Sequence, residues 1–136
     1  MKKSIMVFLL LTIFACTTDS QEEVTQLATS KIIGSWQVIA HSYSIGGPLI
    51  TEAVANGGIY NYALNGTFTF KYALDNTFDF SGSYTFDGEV LTLDYSNTTG
   101  EVKRTLKALF EEDSVELIPI NPFCIEGCSE TLKRLN

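Results

Sequence analysis

From Ile32 to Asn136, apolar and polar residues alternate with a period of two, and turn-forming residues break the alternation at intervals of roughly eight to twelve. No other feature constrains the fold as strongly. Successive side chains of a strand point to opposite faces, so a period of two kept up over many short runs calls for a sheet with one dry face and one wet face. The first run covers 33–43, with Trp36, Val38 and Ala40 on one face. Residues 45–58, rich in glycine, read as a long connection. The run 59–64 meets the next at Asn65-Gly66, a strong hairpin dipeptide because both residues tolerate positive φ. Phe68, Phe70 and Tyr72 then share a face; Asp75-Asn76 turns the chain into 78–81, and Gly82 interrupts or bends it before Tyr84 and Phe86. Asp87-Gly88 is a second tight turn, followed by Leu91, Leu93 and Tyr95. After the turn at 97–100, Val102, Leu106, Ala108 and Phe110 alternate, then Val115, Leu117 and Pro119, and 131–135 form the last strand. About eight strands joined by hairpins favour an up-and-down meander that closes on itself and removes its sticky edges. A two-sheet sandwich is the alternative, but the connections are too uniformly short for its crossings.

The N-terminus is different. Lys2 and Lys3 precede an apolar run, 4–14, that is too short for a permanent membrane span and reads as a secretory signal. Cys16 directly follows the small Ala15, which resembles a bacterial lipoprotein signal in which the cysteine is lipidated and becomes the first mature residue. The expected organisation is a lipoprotein signal peptide over 1–15, the lipidated Cys16 with a polar, acidic, flexible tether over 16–30, and one barrel domain over 31–136. The expected location is an outer-membrane lipoprotein facing the periplasm or the cell surface.

Loss of Lys2 and Lys3 with the leader takes the formal charge from −7 to −9, and no basic cluster lies downstream. Nucleic acid and anionic headgroups are therefore excluded as main partners, since both need lysine and arginine to neutralise phosphate. With Cys16 lipidated, Cys124 and Cys128 remain as a pair in an oxidising compartment. A disulfide is favoured over zinc, because two thiolates without nearby histidines leave the metal half coordinated. No metal site and no cofactor are expected.

Gly34-Ser35-Trp36 on the first strand resembles the G-x-W motif of lipocalins, and Arg134 stands where that superfamily places an arginine over the tryptophan ring. GSWQV, SIGGP, NGTF, SGSYTFDGEVLTLDYSN and CIEGCSETLKRL are together similar to recurring elements of the lipocalin-like domains found in bacterial lipoproteins. The resemblance covers 32–136 and implies an all-β fold, an eight-stranded antiparallel up-and-down barrel, with Gly34, Trp36 and Arg134 as its structural signature. It also implies a small hydrophobic ligand, with the 45–58 connection as a lid over the open end.

The candidate apolar lining is Phe68, Phe70, Phe78, Phe80, Tyr84, Leu91 and Leu93, with Tyr60 and Tyr62 near the mouth. The same aromatics fill a small core equally well, and an eight-stranded barrel permits either outcome. Arg104 is the polar residue placed among Val102, Leu106 and Ala108, where it is a candidate to grip a ligand carboxylate. His41, the single histidine, falls on the face opposite Trp36 by two-residue spacing. With no second imidazole and no nucleophile elbow, the chain is not expected to be an enzyme, and no catalytic residue is assigned. The expected function is a lipid-anchored carrier or binder of a small hydrophobic molecule in the cell envelope, in contact with the membrane through Cys16. The alternative is a ligand-free barrel that binds protein or glycan through its loops. The sequence leaves the oligomeric state open.

Overall fold

A computed structural model describes residues 30–72 and 79–136. Cys16, expected to be lipidated, the expected signal and nearly all of the expected tether lie outside the described residues, as does Phe78. Nine β-segments follow one another: β1 (Gly34–Tyr43), β2 (Ile50–Ala53), β3 (Ile59–Tyr62), β4 (Thr67–Lys71), β5 (Phe80–Phe86), β6 (Val90–Asn97), β7 (Gly100–Glu111), β8 (Ser114–Asn121) and β9 (Ser129–Arg134). Every pairing is antiparallel. One edge of β1 pairs with β9, which closes the sheet. The other edge pairs with β3 over Gly34–Gln37 and with β2 over Ala40–Tyr43. β2 and β3 thus share one edge as a single interrupted strand, and the barrel is the eight-stranded up-and-down barrel expected from the hairpin signals.

The turns are made by the residues the sequence singles out. Asn65 Oδ1 accepts hydrogen bonds from the Thr67 amide at 3.1 Å and its hydroxyl at 2.7 Å. Asp87 Oδ1 accepts from the amides of Glu89 and Val90 at 2.9 and 2.7 Å, and those donors hold its carboxyl below the ordinary range.

Three local readings change. The stretch 45–58 is not one long connection: β2 lies within it, and the Val54 amide still donates to the Ile39 carbonyl at 2.8 Å. After Asn56, at φ 57°, Gly57 passes so close to β1 that a Cβ would lie 2.0 Å from the Val38 carbonyl oxygen. The interruption between β2 and β3 therefore hugs the barrel wall. Gly82 does not break β5, which runs through it; a Cβ there would meet the Asp94 carbonyl oxygen at 2.0 Å, so the glycine permits β5 and β6 to approach. A bulge between Val38 and Ala40 resets the alternation of β1 against β9.

The lower half of the barrel is filled. Ile32, Trp36, Tyr62, Phe68, Leu91, Leu93, Val115, Leu117 and Leu132 are almost completely buried there and in the adjoining core. The Arg134 guanidinium lies 4.2 Å from the centroid of the Trp36 ring. It donates to the carbonyl of Ile33 at 2.9 Å and to that of Lys31, while Trp36 Nε1 donates to the Ile32 carbonyl at 2.7 Å. Burying an indole of roughly 200 Å² contributes about 5 kcal/mol, and the stacked cation adds about 1. One constellation thus seals this end and ties the chain entering β1 to the last strand.

Candidate functional site

The opposite end of the barrel is open. The second half of β1, the 54–58 link, the ends of β4 to β6 and β9 surround a cavity of about 650 Å³. Phe70 and Phe80 stack with centroids 4.8 Å apart, and Phe80 stacks on Tyr95 at 4.5 Å, so an aromatic belt forms one wall. Val38, Val54, Gly57 and Gly58 also line the cavity. A Cβ on Gly58 would lie 2.2 Å from the Phe70 ring, so a side chain at that position would intrude on the belt.

Of the residues expected to contact a ligand, Phe70 and Phe80 line this cavity. Phe68, Tyr84, Leu91 and Leu93 are buried in the packed core and do not line it. Tyr60 and Tyr62, expected near the mouth, are both buried, and Tyr62 pairs with Gly34 at the sealed end. The reason is register: β3 runs alongside the first residues of β1, so its side chains join the tryptophan layer. The core-or-cavity alternative is therefore resolved by height in the barrel, with filling below and a void above.

A polar group of side chains lies between the two. The Tyr60 hydroxyl donates to Glu130 Oε2 at a long 3.5 Å. Arg104 is half-buried near Tyr60, Glu130 and Tyr95. Burial alone would lower its pKa, but the neighbouring Tyr60, Glu130 and Tyr95 hold it above the ordinary arginine value. Burial likewise pushes the Tyr60 hydroxyl far up, reinforced by Glu130, and does the same to Tyr62. The Tyr62 hydroxyl is fully buried and has no hydrogen-bond partner. Arg104 itself does not line the cavity; Glu130 and Tyr95 do.

Glu130, Tyr95, His41 and Asp79 are cavity residues that the sequence reading left out. Glu130 carried a signal, since it alternates with Leu132 and Arg134 on the last strand, but that strand was expected to begin one residue too late to include it. Tyr95 also alternates with Leu91 and Leu93. His41 carried none: the bulge after Val38 overturns the two-residue count, and the histidine pairs with Glu130 and lines the cavity. Cys124 and Cys128 form a disulfide, with Cα atoms 5.6 Å apart, in the β8–β9 loop. That loop is tied to the β1–β2 loop by the Ser44 amide, which donates to the Glu126 carbonyl at 2.6 Å. Among the described residues no group of three or more histidine, cysteine or acidic side chains is placed to hold a metal.

No protein-family description matches the chain, and no curated protein does. Among solved structures, the barrel is similar to that of a lipocalin-like protein from Bacteroides uniformis ATCC 8492, with a TM-score of 0.55 and 19% identity over 76% of this chain and 98% of the other. Closed eight-stranded topology, the sealed tryptophan–arginine end and this structural likeness together make the described part of the chain a domain with the lipocalin-like fold.

Proposed function

We propose that the barrel binds a small, largely apolar molecule in the cavity at its open end, as a lipid-anchored protein of the cell envelope. The cavity of about 650 Å³ with its aromatic belt carries this reading. Each 100 Å² of apolar ligand surface withdrawn from water contributes about 2.5 kcal/mol, and a few polar groups set orientation. Since the lower half of the barrel is packed, the ligand is held shallowly, against Phe70 and Phe80, with Glu130 and Tyr95 at its inner end. Arg104 lies near these two and outside the cavity lining. The lipid anchor at Cys16 and the envelope location rest on the N-terminal sequence pattern.

Native mass spectrometry of the chain, produced with its own leader and purified in mild detergent, tests the reading. A mass in excess of the covalent one, lost on denaturation, is the expected result. A bare chain that also takes up nothing from a panel of apolar compounds removes the carrier function. The alternative, a scaffold that binds a protein or glycan through its loops, is favoured by one observation: Ile45, Leu49, Phe123 and Ile125 are exposed on the two tied loops at the open end.

A further inference from the structure

The charge arrangement around the cavity bears on what kind of head group a ligand carries. Two carboxylates, Asp79 and Glu130, line the cavity, together with His41, and no lysine or arginine lines it among the described residues. Asp79 Oδ1 is engaged by the Tyr72 amide at 2.8 Å. Among the described residues Glu130 accepts only the long hydrogen bond from Tyr60, so its carboxylate has acceptor capacity left. Arg104 lies near it but outside the cavity lining, and the two form no salt bridge. A carboxylate head entering from the open end meets Glu130 before it meets Arg104. A head that donates a hydrogen bond meets an acceptor in want of a donor.

We propose that the cavity selects an apolar molecule with an uncharged, hydrogen-bond-donating head, such as a primary amide or an alcohol, which donates to Glu130, and that it rejects the matching carboxylate. This rests on the ligand-binding reading above and narrows it to a class of ligand. Neutral heads also avoid the cost of desolvating an ion, which Arg104 cannot offset from outside the cavity lining.

The test compares dodecanamide, dodecanol and dodecanoate, which share one chain and differ in the head. Each is added at equal concentration and pH 7.5 to the full chain stripped of lipid, and binding is read by native mass spectrometry. The amide and the alcohol are expected to bind at least about tenfold more tightly than the carboxylate, the order set by like-charge repulsion in a partly wet site. Glu130→Gln removes the charge and keeps an acceptor, so it should raise dodecanoate binding and close most of the gap between the amide and the carboxylate. Equal or tighter binding of dodecanoate by the unsubstituted chain overturns the proposal and leaves ligand binding standing. If none of the three binds to a folded barrel, this inference falls, and the bare-chain mass and wider panel above decide the binding reading separately. The comparison of ligands on the unsubstituted chain decides the matter even if Glu130→Gln does not fold.

Discussion

The two ends of this barrel are built from the same alternating strands and differ in what the alternation encloses. At the sealed end, Trp36 is 1% exposed, Arg134 lies over its ring, and Phe110 meets it edge to face. At the open end, Phe70, Phe80 and Tyr95 are only half-buried, and they stack along one wall of a void instead of meeting across it. The difference shows where stability and function reside in a small barrel. Closing a sheet forces a lumen about one side chain wide, which large residues fill and smaller ones leave open. Here the layer of Trp36, Tyr62 and Phe68 fills it, while the small residues Val38, Gly57 and Gly58 line the hollow upper layer.

The largest test of this contrast is a pair of truncations. Trp36→Ala should cost about 3–5 kcal/mol in urea unfolding, since it opens a cavity in a layer that cannot collapse. Phe80→Ala should cost only about 1–2 kcal/mol, because the ring already borders a void. Similar losses at the two sites would mean that the open end is as tightly packed as the sealed one. Next in size, Arg134→Ala should cost about 2 kcal/mol by removing the stack and the donors to the Lys31 and Ile33 carbonyls. Arg134→Lys should recover less than half of that, since an ammonium lacks the planar fork. Full recovery by lysine would reduce the residue's role to its charge.

The sealed end was also the more legible end. Gly34, Trp36 and Arg134 lie near the ends of the folded chain with intact two-residue spacing, so their meeting follows from closure of β1 on β9. The hairpin dipeptides fixed the strand order because Asn65 and Asp87 each cap their own turn, a local event that local sequence encodes. The open end depends on departures from regularity. The bulge after Val38 turns His41 toward the cavity, and β2 holds to β1 although its four residues are all exposed and show no alternation. Glu130 was hidden only by a strand boundary, which alternation marks poorly at its ends. The height at which β3 docks on β1, which sends Tyr60 and Tyr62 down into the core, is a matter of register across a long connection, and no local motif sets it.

The polar layer between the ends gives a pH test of intermediate size. Tyr60 and Tyr62 have pKa values raised by burial, so the folded state keeps protons that the unfolded chain releases near pH 10. Their contribution is fully present below that pH and is lost as pH rises above it. Unfolding free energy should therefore fall by about 1.4 kcal/mol per pH unit for each buried tyrosine above pH 10. Tyr60→Phe should reduce that slope by one proton; an unchanged slope would place the Tyr60 hydroxyl in contact with water.

Tyr62→Phe is the smallest expected effect and the one that decides to which end the polar layer belongs. The Tyr62 hydroxyl is fully buried without a partner, and its ring lies parallel to that of Tyr60 with centroids 5.8 Å apart. If the group serves only packing, deleting its oxygen removes an uncompensated desolvation penalty and leaves the ring in place, and stability should rise by about 1 kcal/mol. Ligand affinity should not change, because Tyr62 does not line the cavity. A loss of stability of that size would mean that the hydroxyl is hydrogen-bonded in solution. A loss of affinity with stability unchanged would mean that the cavity reaches down past Glu130 when occupied, and the boundary between the filled and hollow halves would then move with the ligand.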